Sequence, residues 1–208
     1  MSNAKATVLA VSVMFCLLSA IVSSQQDEPA VALYASDGGL RFPDHYREWV
    51  YLSSGFDMSY RPRMQMGHHM FDNVFVDPKS YGQFLKTGSW PDKTVLVLET
   101  RRARERGSIN RTGSYQDLEI MGLEVHVRDA RRFPDQWAFF AFEGKGVGKL
   151  IPRPAECYSC HAAHAAVDTT FVQFYPTLLP IATSKGTLAR SYLSEEAGGH
   201  TAAPAGND

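Results

Sequence analysis

The chain has 208 residues, of which 44% are hydrophobic and 21% charged, with a formal net charge of −1 and a sequence pI near 6.7. That balance supports one domain of ordinary size with a real core, and it excludes collagen-like, coiled-coil and wholly disordered classes. A near-neutral chain offers no electrostatic footprint for nucleic acid, and three cysteines are too few for a disulfide-stapled mini-protein.

Lys5 is the only charged residue before Asp27; it precedes an apolar stretch from Ala6 to Val22, then Ser23, Ser24 and the polar Gln25-Gln26-Asp27. A charged start, an apolar middle and a small-residue end read as a secretory signal peptide over residues 1–24, cut after Ser24. The alternative is an uncleaved anchor, against which the run is shorter than the roughly 20 residues of a spanning helix. Met14 and Phe15 ahead of Cys16 do not suit a lipoprotein signal. The mature chain is therefore expected in the periplasm, without a membrane span, and with Cys157 and Cys160 as its only cysteines.

In chain order, Asp44 to Val50 reads as one or two helical turns, with Pro43 near its start and Gly55 beyond it. Phe71 to Val76 alternates, with Phe71, Asn73 and Phe75 on one face and Asp72, Val74 and Val76 on the other, which predicts a strand. Pro78 opens a short helix over Lys79–Lys86, stopped by Gly88. Thr94 to Glu99 is β-rich, and Arg101 to Ser114, with five arginines and little apolar content, reads as a loop. Leu118 to Val127 is a third strand, with Leu123, Val125 and Val127 on one face and Glu124 and His126 on the other. Trp137 to Phe142 is a fourth, buried on both sides. Ala-rich Glu156 to Val167 is helical, and Thr170 is placed to cap a further short helix ending at Pro176.

Strands joined by loops too short for crossover helices imply an antiparallel sheet, and helices gathered late in the chain make the class α+β. The expected organisation is a signal peptide (residues 1–24), a single domain (25–183) with the C-terminal helix carrying the motif described next, and a flexible tail (184–208) poor in large apolar residues.

Cys157-Tyr158-Ser159-Cys160-His161 is a C-x-x-C-H motif, the pattern of covalent haem c attachment. Two thiols one helical turn apart can each add to a haem vinyl group, and the following imidazole then supplies an axial nitrogen to the iron. The alternatives are a redox or structural disulfide and half of a zinc site. A thioredoxin-like dithiol wants a βαβ setting, whereas Pro152, Arg153 and Pro154 precede this one. His161 and His164 stand too close behind Cys160 for the usual zinc spacing. The motif lies late and no methionine follows Met121, which separates the chain from small electron-transfer cytochromes c; the strand runs separate it from four-helix cytochromes c′.

The order of motifs resembles the cytochrome P-460 family, which includes the β-type cytochromes c′. The residues that carry the resemblance are Tyr46-Arg47-Glu48-Trp49-Val50, Val74-Phe75-Val76-Asp77-Pro78 with Ser80-Tyr81, Thr87-Gly88 and Thr94-Val95. Further on they are Gly122-Leu123-Glu124, Asp129-Ala130-Arg131-Arg132-Phe133-Pro134, Trp137-Ala138-Phe139-Phe140, the C-x-x-C-H motif and Phe171-Val172-Gln173-Phe174-Tyr175-Pro176. It covers roughly residues 38 to 182. The resemblance implies a largely antiparallel β fold around one haem c, usually a homodimer, with Cys157 and Cys160 as attachment points, His161 as proximal ligand and an open distal iron. Members oxidise hydroxylamine or bind nitric oxide.

Two departures bear on that choice. In the hydroxylamine-oxidising members a lysine just before the glutamate of the second strand bonds to the porphyrin; the matching residue here is Leu98, which has no nucleophile. A distal arginine of those members falls at Asp72. The distal glutamate is matched by Glu124, which the resemblance casts as a proton relay. Three functions follow: an open-iron haem c protein binding nitric oxide or a related small nitrogen species, a hydroxylamine-oxidising enzyme, and an electron carrier with a sixth ligand such as Met70 or His68. Each implies a periplasmic electron-transfer partner. His68, His69, Met64, Met66 and Met70 cluster before the first expected strand, His126 stands two residues from Glu124, and His164 lies one turn beyond His161 on the helix surface.

Overall fold

The computed structural model describes residues 34–58 and 67–199; the expected leader, Met64, Met66 and residues 200–208 lie outside them. The alternation at Phe71–Val76 does form a strand, one of seven among the described residues: β1 (Leu40–Arg41), β2 (Val50–Phe56), β3 (Met70–Val76), β4 (Val95–Gly107), β5 (Asn110–Arg128), β6 (Trp137–Phe142) and β7 (Val147–Leu150). They make one sheet in the order β1-β7-β6-β5-β4-β3-β2, with every neighbouring pair antiparallel. Four short helices join it: α1 (Pro78–Thr87), α2 (Glu156–His164), α3 (Leu179–Lys185) and α4 (Arg190–Gly199). The class is α+β with a largely antiparallel sheet, as the loop lengths imply. None of the described helices is long and apolar enough to cross a membrane.

The two-residue period sorts the strands' side chains onto two faces. Val95, Val97, Val125, Val127, Ala138 and Phe140 line one face and pack with Leu40 and Tyr46. Phe140, Val97 and Val125 are fully buried, each such side chain contributing roughly 1.5–3 kcal/mol. The opposite face carries Val76, Leu96 and Trp137 into a second core with Phe84 of α1, Ala166, Val167, Leu178 and Ala182. Farther along that second face run two cross-strand rows, Val74–Leu98–Glu124–Ala141 and Asp72–Thr100–Gly122. Of these rows, Val74 packs against the helical core.

Capping explains α1. Asp77 accepts from the backbone N–H of Ser80 at 2.8 Å and from that of Val95 at 3.1 Å, so one carboxylate starts the helix and ties it to β4. Pro78 occupies the first turn, and Gly88 closes the helix in the left-handed region at φ 75°. A Cβ on Gly88 would lie 2.7 Å from Lys185 Cβ, so the ends of α1 and α3 meet only over a glycine. Thr187 Oγ1 donates to the Gly88 carbonyl at 2.6 Å.

Several elements differ from the sequence expectation. The arginine-rich segment from Arg101 to Ser114 is not a loop: β4 and β5 continue as a hairpin arm to the turn at Ser108-Ile109, Gly107 pairing with Asn110. Beyond Arg102 the arm has no third strand beside it, so it needs no apolar face; Arg102–Glu119 and Arg104–Asp117 ion pairs, both 2.8 Å, link its strands instead. Asp44 to Val50 gives only a single 3-10 turn, Tyr46–Glu48, because Val50 enters β2. Helix α2 stops at His164 rather than Val167, since Ala165, Ala166 and Val167 run extended into the core and Val167 bridges Thr170. It is not the C-terminal helix, because α3 and α4 follow. Thr170 caps nothing: its Oγ1 accepts from Trp90 Nε1 at 2.7 Å and donates to the Val167 carbonyl at 2.8 Å. The segment expected to be a tail from Ser184 is helical over Arg190–Gly199, and Leu188 and Tyr192 pack on the core, an apolar anchorage too sparse to stand out in composition.

Candidate functional site

Cys157, Cys160 and His161 stand at i, i+3 and i+4 on α2, the spacing that puts side chains on one helix face. No residue of α2 is fully buried. The helix is held at its two ends instead. Tyr158, between the cysteines, donates its hydroxyl to the Ile151 carbonyl at 2.9 Å and accepts from the Phe139 N–H at 3.2 Å, with its ring edge-on to Phe139 at 4.8 Å. Arg153 lies over the Tyr158 ring at 4.7 Å and donates to the Trp137 carbonyl at 3.0 Å. Beyond the helix, Gln173 accepts from the Ala166 N–H at 2.9 Å and donates to the His164 carbonyl at 2.7 Å.

His161 Nδ1 is 2.7 Å from the backbone carbonyl of Thr169. A carbonyl only accepts, so Nδ1 carries the proton and Nε2 keeps its lone pair. Burial lowers the His161 pKa, which the Thr169 contact offsets only in part, so the ring is a neutral donor at physiological pH. Phe171, Phe139 and His126 surround it at ring-centroid distances of 4.2, 4.7 and 5.3 Å. A cavity of about 320 Å³ adjoins it, lined among others by Trp137, Phe139, Arg153, Tyr158 and Thr169. An imidazole whose second nitrogen is fixed by a carbonyl is how proteins prepare an axial metal ligand.

The two thiols are free and half-buried. Burial pushes the Cys157 thiol above its ordinary range, the opposite of what a redox-active dithiol needs. Among the described residues no group of three or more His, Cys, Asp or Glu side chains is placed to hold a metal ion, so the zinc alternative has no ligand set. Two free thiols and a neutral imidazole fit a thioether-bound haem.

The wall beside α2 is the second sheet face. Leu98 lies in register with Val74 on one side and Glu124 on the other. Burial, then the neighbouring Asp72, holds the Glu124 carboxyl above its usual range. Burial also raises Asp72, with Thr100 Oγ1 donating to it at 2.9 Å and tempering the effect. The charge of Glu124 in turn helps raise Cys157, which puts it within electrostatic reach of α2. Leu98, Glu124 and Asp72 therefore share one side of the sheet, with Glu124 within electrostatic reach of the C-x-x-C-H helix.

Other candidates stand elsewhere. Glu99, next to Leu98, points to the opposite face; it is 2% exposed, and Tyr46, Arg47 and Arg101 all donate to its carboxylate. His69 pairs with Asp57 at the foot of β3, and His68 is exposed. Met70 shares the face of Glu124 but lies two rows beyond it. His164 is exposed and contacts the Glu195 carboxylate at 3.0 Å. Sequence reasoning missed Thr169, Tyr158 and β2. Thr169 and Tyr158 act through a backbone carbonyl and a hydroxyl, for which a single sequence holds no signal.

An antiparallel sheet walling a helix that offers two thiols and a prepared imidazole suits a haem-binding domain. A sequence model of the cytochrome P460 family matches residues 43–172. The chain belongs to the cytochrome P460 family, and is thus a haem- and iron-binding cytochrome. The match reaches from the turn before β2 through the C-x-x-C-H helix to the Phe171-Val172 step. A search of curated proteins returned no match.

Proposed function

We propose that the protein is an exported, periplasmic cytochrome of P460 type that carries one haem c on Cys157, Cys160 and His161 and binds nitric oxide or a related small nitrogen species at an open distal iron. The observation that carries this reading is the pairing of a His161 Nδ1–Thr169 carbonyl bond with a Leu98–Glu124 row on the adjoining sheet face. When bound, the haem supplies an iron with a vacant coordination position and a one-electron sink. Cys157 and Cys160 would hold the haem through thioethers to its vinyl groups, and His161 Nε2 would supply a nitrogen to its iron. Leu98, in the place of the crosslinking lysine, leaves the porphyrin with two thioethers only. Its side chain makes that part of the wall apolar, which suits a diatomic and offers little to polar ligands.

Hydroxylamine oxidation is the second reading, favoured by Glu124. A carboxyl held above its usual range is closer to the operating pH, where general-base catalysis is most effective. In that reading Glu124 takes a proton from the substrate nitrogen, and a periplasmic electron-transfer partner receives the electrons. A plain electron carrier would need a sixth ligand, and neither His68 nor Met70 stands in the Leu98–Glu124 row. A homodimer also belongs to the proposal: Leu118 and Ile120 on the hairpin arm are 93% and 45% exposed, an apolar strip suited to a second copy.

The test is the electronic spectrum of the purified ferrous protein with and without nitric oxide. A five-coordinate resting spectrum that changes on adding the gas is expected. A six-coordinate low-spin resting iron, unmoved by the gas, overturns the open-site reading.

A further inference from the structure

His126 is a buried histidine on the sheet face beside α2 for which the proposed chemistry has no use. Its Cα partners are Leu96 and Phe139, and it is 8% exposed. Its ring stacks on Phe139 at 3.9 Å and 10°, tilts against Trp137 at 4.4 Å, and meets the His161 ring edge-on at 5.3 Å. Any aromatic residue would fill that space without the desolvation cost of two ring nitrogens. One of those nitrogens has a specific partner: His126 Nε2 shares a hydrogen bond with Thr169 Oγ1 at 3.3 Å.

Thr169 thus holds both imidazoles, His126 by its hydroxyl and His161 by its carbonyl. It sits in a tight turn closed by the Val167–Thr170 bridge, with Asp168 in the left-handed region at φ 53°. The next residue, Thr170, is fastened to Trp90 and to Val167. The turn therefore keeps its place if His126 is lost, while the alignment of the Thr169 carbonyl depends on what its hydroxyl can reach.

We propose that His126 is a positioning residue for His161: through Thr169 it aligns the carbonyl that accepts the Nδ1–H of the axial imidazole, and so sets the donor strength of Nε2 toward the iron. This rests on His161 being that ligand. A well-aligned carbonyl strengthens the imidazole as a donor and favours the ferric state; a slack one favours the ferrous state.

The experiment uses the holoprotein and three variants. His126→Phe keeps the ring stack and removes the nitrogen. Thr169→Val keeps the carbonyl and removes the hydroxyl. His126→Gln restores a polar group near Nε2. Outer-shell partners of metal-bound histidines typically contribute 10–100-fold, so His126→Phe and Thr169→Val are each expected to shift the ferric–ferrous equilibrium about tenfold toward ferrous. For a one-electron couple that is about 59 mV. The ferrous iron–histidine stretching frequency falls in both, the double variant shows no more than either single one, and His126→Gln recovers part of the shift. Wild-type potentials and stretching frequencies in both single variants overturn the proposal, as do additive effects in the double variant. If His126→Phe does not fold, Thr169→Val decides alone. A protein whose intact mass shows no haem, or a His161→Ala variant with the wild-type spectrum, removes the ligand reading itself; a haem-loaded protein with silent variants removes only the role of His126.

Discussion

Replacing Leu98 with lysine places an ammonium in the row that carries Glu124. Side chains directly opposite on neighbouring antiparallel strands have Cβ atoms about 4.5–5.5 Å apart. Two unit charges about 5 Å apart, at an effective dielectric constant of about 20, attract by roughly 3 kcal/mol. Part of the Glu124 side chain still meets solvent while burial acts on its carboxyl, so screening reduces the net coupling to about 1 kcal/mol. Leu98 is only half-buried, and the lysine stem replaces most of its apolar contact, so Leu98→Lys should fold with nearly unchanged stability. Denaturant unfolding of Leu98→Lys, Glu124→Gln and the double variant measures the coupling as a cycle. In the haem-loaded protein the same substitution should move the Soret band, with a change in intact mass if a third bond to the porphyrin forms. A coupling indistinguishable from zero refutes the register of β4 against β5. A normal coupling with an unmoved Soret band and mass refutes the placement of Leu98 against the porphyrin.

Three further outcomes are expected. Glu124 is held above its usual range by burial and by Asp72, so the folded state binds this proton more readily than the unfolded chain; the stability it contributes is present in acid and lost as pH rises through the folded value. Glu124→Gln should flatten that dependence in thermal melts and slow any hydroxylamine turnover about 100-fold; full turnover removes its role. Glu99 is the reverse case: burial pushes its carboxyl up, but bonds from Arg101, Tyr46 and Arg47 outweigh that and hold it low, so its contribution is lost as pH falls through the folded value. Glu99→Gln strips a buried partner from two arginines, a loss of about 3–5 kcal/mol for fully buried pairs, reduced here to about 2 kcal/mol because Arg47 is half-exposed; an unchanged melting temperature at neutral pH contradicts this. Leu118→Glu should convert a dimer to a monomer in sedimentation velocity without altering the haem spectrum, and a monomeric wild type ends the assignment of the arm.

Much of the core sheet was legible because its signal is local. Trp137–Phe142 and Phe71–Val76 alternate or run apolar over their whole length, and Pro78 and Gly88 punctuate α1. The arm was illegible for the same reason in reverse: its strands bury no apolar face, so their pairing is held by cross-strand ion pairs and backbone hydrogen bonds that composition does not display. β2 was hidden because Ser53, Ser54 and Gly55 break its apolar run. At the site, the C-x-x-C-H motif was readable from its spacing, and the shared face of Glu124 and His126 from the two-residue period. The Thr169 carbonyl that prepares His161, and the Tyr158 hydroxyl that moors α2, are contacts between segments whose nearness only the folded sheet creates.

The connectivity of the sheet orders its own making. From β2 to β7 each strand lies beside its successor in the chain, and β1 alone crosses to the far edge, where Leu40 and Arg41 meet Gly148 and Val147. Hairpins of that kind zip quickly, because little loop entropy separates the partners, and the one distant seam closes last. A polypeptide emerging from its amino end can therefore raise a finished palisade before the tether-bearing stretch arrives. On the proposed reading, an enzyme that fastened the pigment would work on a late, still accessible filament laid against a scaffold already standing.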